Sequence, residues 1–405
     1  MNHTHYFQSV ELHDLGALRV SGPDAVSFLQ GQLSSDLTRL TMERSSLAGY
    51  HNSQGRTIAL LRLLRLDEDE VLAILPRELA AAVAARLSKY ILRSKVKVAE
   101  ESSAWRISGL IAAALEGVAQ AGLTRAQALR AASLGPIPCE PDAQRRIGDA
   151  RMICLAGDPA RWLVIRPAES ASRAPEVNPG LPDAVSASRE LWRHLDIASG
   201  VPQVYASTSE EFVAQMLNLD VLGAIAFDKG CYTGQEVIAR AHYRGRVKRR
   251  LQRFRSRGPL ELSPGDSGGL PDGRVFRVVE AVRLEDGRCE FLAVAPTPGA
   301  EFEPGGHPEP LAALERLMGA SATVAGGSSA GTAGLAPANV GAPATGAALQ
   351  AAIPPERTTT GAVWAPFATS PAAPTRAVEP IRPRSPAAEL PRDLDRLDLP
   401  YRLPE

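Results

Sequence analysis

Cysteine is scarce in this sequence: four residues among 405, at Cys139, Cys154, Cys231 and Cys289, with no Cys-x-x-Cys pair and no histidine at zinc-finger spacing. That pattern argues against a disulfide framework and against a structural metal centre. Net charge is lacking as well. Lysine plus arginine total 45 and aspartate plus glutamate total 45, so no global field draws the chain toward nucleic acid or a membrane surface. No uncharged apolar run is long enough to span a bilayer; the best candidate, Leu110 to Leu115, stops at Glu116. Met1 to Leu18 mixes His, Glu and Asp and lacks the basic-then-apolar order of a signal peptide. These absences lead us to expect a cytoplasmic, reduced, soluble protein with no permanent metal and no membrane partner, and we expect a monomer.

What is present reads as alternating strands and helices. Ala17 to Val20 is a short strand, and Gly22-Pro23-Asp24 opens a helix. That helix is expected to set Val26, Leu29, Leu33, Leu37 and Leu40 on one buried stripe. Ser53-Gln54-Gly55 is a turn, Arg56 to Leu66 and Val71 to Leu75 are strands, and Pro76 starts a helix with Leu79, Val83, Leu87 and Ile91 facing inward. Lys95 to Ala99 returns as a strand. Strands with helices to one side imply an α+β layer. Further along, Ala112 to Ala132 reads as helical, Arg151 to Leu155 and Arg161 to Ile165 as strands, and Ser186 to Ser199 as an amphipathic helix with Leu191, Trp192, Leu195 and Ile197 on its apolar face. Thr208-x-x-Glu211 has the form of a capping box before Phe212 to Leu217.

From Leu251 to Ala295 short alternating segments are separated by Pro264-Gly265, Asp272-Gly273 and Asp286-Gly287, the punctuation of hairpins in a small barrel or sandwich. Alanine, glycine, proline, serine and threonine then dominate from Pro296 to Ala387, apart from a helical-looking Leu311 to Met318. Such a composition buries too little apolar surface to offset its ordering entropy, so disorder is expected there. Leu394 to Leu399 alternates again and reads as a last strand that rejoins the barrel. The implied organisation is an α+β half over 1–100, a second α+β domain over 101–250, and a β-barrel domain over 251–405 interrupted by a low-complexity insertion at 300–390.

The most informative run is Asp228-Lys229-Gly230-Cys231-Tyr232-Thr233-Gly234-Gln235-Glu236-Val237-Ile238-Ala239-Arg240. Thr233-x-x-Glu236 has the form of a second capping box, placing a helix start near Gly234. Cys231 would then sit ahead of a helix N-terminus with Lys229 two residues away, and both favour thiolate over thiol. A functional thiol and a merely packed cysteine both remain open on these residues alone. After Glu236 come Arg240, Arg244, Arg246, Lys248, Arg249, Arg250, Arg253, Arg255 and Arg257 without an acid, with His242, Tyr243 and Phe254 interleaved. The stretch is either a solvated strand face or a strip for phosphates or a polyglutamyl tail.

The Lys229-Gly230-Cys231-Tyr232-x-Gly234-Gln235-Glu236 run followed by Ala239-Arg240 resembles the signature of the YgfZ folate-binding family. Phe28-Leu29-Gln30-Gly31-Gln32-Leu33-x-x-Asp36, Asn52-x-x-Gly55-Arg56, Leu219-Asp220 and the closing Leu399-Pro400-Tyr401 fall in that family's order and spacing, about 300 residues in all. The resemblance implies a fold like the glycine-cleavage aminomethyltransferase: two α+β domains plus a small C-terminal β-barrel arranged as a ring. It implies tetrahydrofolate or another folate as bound ligand, with contacts at Trp192, Gln30, Gln32, Tyr232, Gln235, Glu236 and Arg240. Leu15 falls where the family has a second tryptophan. It assigns Cys231, with Lys229 beside it, as the functional thiol. The implied role is an accessory to iron–sulfur client proteins and tRNA modification, with transient contact to tRNA or a tRNA-modifying enzyme. A folate-dependent one-carbon transferase or demethylase is the alternative, and an interaction module working through its insertion a third. Where the transferase carries an acidic pair, this chain has Arg56-Thr57-Ile58-Ala59; the lack of a carboxylate there weighs against aminomethyl transfer.

Overall fold

Arg56 to Leu66 carries leucines on both faces, and in the structure, a computed structural model described for residues 7–112, 137–171, 184–244, 247–297 and 394–404, it becomes the long strand of the first of three sheets. That sheet runs β3 (Ser46–His51), β4 (Thr57–Asp67), β5 (Glu70–Pro76), β2 (Leu15–Ser21) and β6 (Lys97–Glu100), antiparallel throughout. Helix α2 (Arg77–Ser88) follows Pro76 directly and buries Leu79, Val83 and Leu87 against β2 and β6. Ile91 lies beyond its end.

Helix α1 (Ala25–Gln32) is shorter than its apolar stripe suggests. Leu33 turns extended at the C-cap, and Leu37 belongs to a separate 3-10 turn over Leu37–Arg39. The physical reason lies in competing polar groups. Gln30 Oε1 accepts from Leu37 N at 2.7 Å, and Asp36 caps Thr38 N at 3.1 Å, so side chains supply the bonds a continued helix would have made. The stripe still does its packing: Leu29, Leu33, Leu37 and Leu40 are all buried.

The second sheet orders β11 (Ala184–Ser186), β1 (Phe7–Glu11), β7 (Trp105–Ala112), β10 (Arg161–Pro167), β9 (Ala150–Leu155) and β8 (Gln144–Ile147). Only β1 and β11 pair in parallel. Strand β1 thus joins strands drawn from 105–186, while the next strand, β2, sits in the first sheet. Helix α3 (Arg189–Ala198) begins on Ser188, whose side chain accepts from Leu191 N, and buries Trp192, Leu195 and Ile197. Ala112 closes β7, and the rest of the expected helix over 112–132 and the low-complexity insertion, with Leu311 to Met318, lie outside the described residues.

The third sheet is β13 (Ser267–Gly269), β14 (Val275–Arg283), β15 (Arg288–Pro296), β12 (Arg249–Pro259) and β16 (Leu394–Leu397), all antiparallel. Gly273 and Gly287 turn its hairpins with positive φ, as their Asp-Gly pairs predict. Its outer strands, β13 and β16, do not pair with each other among the described residues. Leu394 returns to pair with Ser256, and Tyr401 donates its hydroxyl to Gly200 O at 2.7 Å. The chain is an α+β protein. No described helix is long and apolar enough to cross a membrane.

Candidate functional site

Helix α4 (Gln235–Tyr243) carries the end of the cysteine motif, and its N-terminus is built differently from the expected capping box. The cap residue is Gly234 in a left-handed conformation, φ +82°, and no side chain caps the helix. A Cβ there would run into Asn52 O and the backbone of Gly55, so the Asn52–Gly55 turn seats directly on this point. Asn52 shapes that turn: its Oδ1 accepts from Gln54 N and Arg56 N, each at 3.0 Å, and its Nδ2 donates to Glu210 Oε2 at 2.7 Å. Thr208 also caps no helix. Its Oγ1 accepts from Tyr205 N at 3.0 Å, and the following residues form turns before a 3-10 helix over Ala214–Leu217.

Lys229 does not face a thiol partner. Its Nζ donates to three backbone carbonyls at the end of α1, Gln30 O at 2.7 Å, Leu33 O at 2.7 Å and Ser35 O at 2.8 Å. These are acceptors of the kind a helix end leaves open, and a cation suits that end of the dipole. Burial lowers the Lys229 pKa to about 8, with Asp36 pulling the other way, which keeps the ammonium at neutral pH. The same Nζ lies 5.2 Å from the Tyr232 ring centroid. Tyr232 is buried, its hydroxyl has no hydrogen-bond partner among the described residues, and burial pushes it up to about 12. Beside it lies His51, fully buried, with both ring nitrogens unpartnered among the described residues and its pKa pushed down to about 3 by burial. Cys231, by contrast, is exposed.

A cavity of about 620 Å³ opens next to this segment. Trp192 and Leu15 are both in its wall, and Phe227, Asp228 and Tyr243 bring the cysteine segment to its edge. Trp192 is held from behind: a Cβ at position 109 would collide with its ring, so Gly109 is what lets it lie against β7. The Arg161 guanidinium sits 5.1 Å from the ring centroid and is itself fixed by Asp196 at 2.5 Å and Ser199 Oγ at 2.7 Å. Several wall charges are paired: Arg62 with Asp142, Arg193 with Asp14 at 3.6 Å, and Arg39 with Asp228 at 3.8 Å. Arg44 and Arg189 are exposed lining residues.

The residues singled out in the sequence therefore fall into groups. Trp192 and Leu15 share the cavity. Cys231, Lys229, Tyr232, Gln235, Glu236 and Arg240 belong to the adjoining segment and do not line it. Gln30 is spent on Leu37 N and Asp36 Oδ1, and Gln32 Oε1 is buried without a partner among the described residues. Along β12 the basic strip is largely paired, while Arg240, Arg244 and Lys248 ahead of it are exposed. Arg250 makes a bidentate pair with Asp220 at 3.0 and 2.9 Å, Arg253 and Arg255 both hold Glu290, and Arg257 holds Asp395. The sequence reading passed over Glu280, Tyr205 and Arg193, all in the cavity wall. A signal for Glu280 existed: it is the one charge inside the apolar run Val278 to Val282.

No protein-family model matches the chain. The tRNA-modifying protein YgfZ of Edwardsiella ictaluri is 35% identical over 296 residues, covering 70% of this chain and 83% of that protein. The chain belongs to the YgfZ family. The YgfZ protein of Cronobacter sakazakii, named in the same words, is 34% identical over 284 residues, covering 69% of this chain and 82% of that one. Among solved structures, the glycine cleavage system aminomethyltransferase T from Bartonella henselae superposes with a TM-score of 0.56 at 14% identity, over 72% of this chain and 79% of that one. The YgfZ fold seen here is thus that of the aminomethyltransferase.

Proposed function

We propose that the protein binds tetrahydrofolate or a related folate in the 620 Å³ cavity and acts, through the Cys231 thiol, as an accessory to iron–sulfur enzymes, including those that modify tRNA. The cavity carries this reading. Its volume suits a small-molecule ligand. Trp192 offers an aromatic surface for a pterin or aminobenzoyl ring. Arg44 and Arg189 suit the carboxylates of a glutamyl tail. The names of the YgfZ relatives support the link to tRNA modification.

Isothermal titration of the full chain with tetrahydrofolate tests the ligand, with Trp192→Leu as the comparison and thermal melts as the folding control. Weaker binding by a folded Trp192→Leu protein is expected; equal affinity would remove Trp192 from the site. The accessory role is tested by restoring several iron–sulfur enzyme activities in deficient cells with the parent and with Cys231→Ala. Normal rescue by Cys231→Ala would end the thiol's part in the proposal. Turnover of an aminomethyl carrier at roughly 1 per second or faster would instead make the protein a transferase.

A further inference from the structure

Two glutamates on neighbouring strands of the third sheet are buried, and only one is saturated. Glu290 on β15 is fully buried and holds Arg253 Nη2 at 2.5 Å and Arg255 Nη2 at 2.6 Å, with His194 Nε2 at 3.4 Å. Glu280 on β14 is 2% exposed and has far less. Tyr205 donates its hydroxyl to Oε1 at 2.8 Å, and Arg193 Nε stands off at 3.7 Å from that same oxygen. Oε2 is buried and has no hydrogen-bond partner among the described residues. Pairing slips between Val278 and Glu280, an irregularity of the kind that re-aims a side chain. Glu280, Tyr205 and Arg193 line the main cavity and also a neighbouring one of about 290 Å³, forming a shared polar wall.

A half-satisfied buried carboxyl is costly, and apolar side chains flank it on β14. Its natural remedy is a partner from outside the chain. We infer that Glu280 reads the polar edge of a flat heterocycle in the main cavity, one that sets a hydrogen-bond acceptor beside an N–H donor, as a lactam or an aminopyrimidine does. This rests on the reading of the cavity as a folate site and names the residue that distinguishes a pterin from other flat ligands. The protonation state fits. Burial, reinforced by the Asp196 charge, raises the Glu280 pKa well above the ordinary carboxyl range, against the opposing pull of Tyr205 and Arg193. A neutral carboxyl offers a donor and an acceptor side by side. Oε2–H then gives to the ligand's carbonyl or ring nitrogen. Oε1 keeps a lone pair for the ligand N–H while still accepting from Tyr205.

The test is titration of the full-length protein with tetrahydrofolate in the parent, Glu280→Gln, Glu280→Leu and Tyr205→Phe forms, with a thermal melt of each. Glu280→Leu is expected to lose about tenfold or more in affinity, equivalent to about 1.4 kcal/mol, while melting no lower than the parent. Glu280→Gln, which keeps a donor and an acceptor, should stay within about threefold of the parent. Tyr205→Phe should weaken binding, because Oε1 loses the group that fixes it; this variant carries the test if the leucine form does not fold. Parent-like affinity in a folded Glu280→Leu, or in Tyr205→Phe if the leucine form is unfolded, overturns the inference and leaves the folate reading standing. Loss of binding in a folded Glu280→Gln equal to that in Glu280→Leu also overturns it. If the parent itself binds no tetrahydrofolate, the folate reading fails and this inference fails with it.

Discussion

Lys229 and Cys231 are two residues apart, yet the ammonium of one is locked onto three backbone carbonyls while the thiol of the other is exposed. The lysine's contacts are those of a clasp: it fastens the cysteine segment to the end of α1. Lys229→Met keeps the length of the side chain and removes every donor. We expect a stability loss of about 2 kcal/mol or more, since hydrogen bonds to charged groups are worth more than neutral ones and the carbonyls lose their partner. Hydrogen exchange should quicken at residues 30–35 and 229–235. Unchanged exchange in both stretches would show that the clasp is dispensable.

Accessibility separates the four thiols. Cys154 and Cys289 are buried, Cys139 is intermediate, and burial pushes the Cys289 thiol up to about 11. In the native protein Cys231 should alkylate faster than the two buried thiols by about an order of magnitude or more, as exposure and thiolate fraction together set the rate. Timed alkylation read by mass spectrometry checks this. Equal rates would mean that the segment closes over its cysteine in solution.

Glu290 gives the fold an acid-sensitive point. Burial pushes its carboxyl up, but contacts from His194, Arg255 and Arg253 outweigh that and bring it to about 2, against an ordinary 4.5. A lowered carboxyl pKa stabilises the folded state above the ordinary value and stops doing so as pH falls through the folded one. Glu290→Gln should therefore melt below the parent near neutral pH, with the gap narrowing between about pH 4.5 and about pH 2. A gap independent of pH would assign the loss to packing.

Arg250 and Asp220 tie β12 to the segment after the 3-10 helix, with side chains only 6% and 7% exposed. Asp220→Ala leaves a buried guanidinium without its carboxylate and should cost about 3–5 kcal/mol in a denaturant melt. Replacing both with apolar residues of similar volume should recover much of that loss. A double variant as unstable as the single one would show that the pair's geometry, and not its uncompensated charge, matters there.

Much of this was legible in the sequence, for reasons that are local. Arg56 to Leu66 and Arg161 to Ile165 announce themselves by composition, and the Asp-Gly pairs mark the hairpins that Gly273 and Gly287 turn. Trp192 and Leu15 emerged together through the family's pattern and do share a cavity. What stayed hidden depends on distant partners. Nothing near Arg253 reveals that Glu290 waits on the adjacent strand, and nothing near Lys229 reveals the carbonyls of Gln30, Leu33 and Ser35. The capping boxes failed because tertiary contacts prevailed: Asn52 and Gly55 need the space that only Gly234 leaves, so the turn, and not Thr233, sets the start of α4.

Strand β16 gives synthesis of this protein a built-in delay. Its partner β12 ends at Pro259, and roughly 135 residues separate Pro259 from Leu394, so a ribosome adding about 5–20 residues per second leaves that edge of β12 uncovered for about 7–27 seconds. During that interval the row of amides on β12 is open to any strand in reach. The nascent chain therefore has a window in which a holding chaperone matters most, and it closes when Leu394 reaches Ser256 and Tyr401 reaches Gly200.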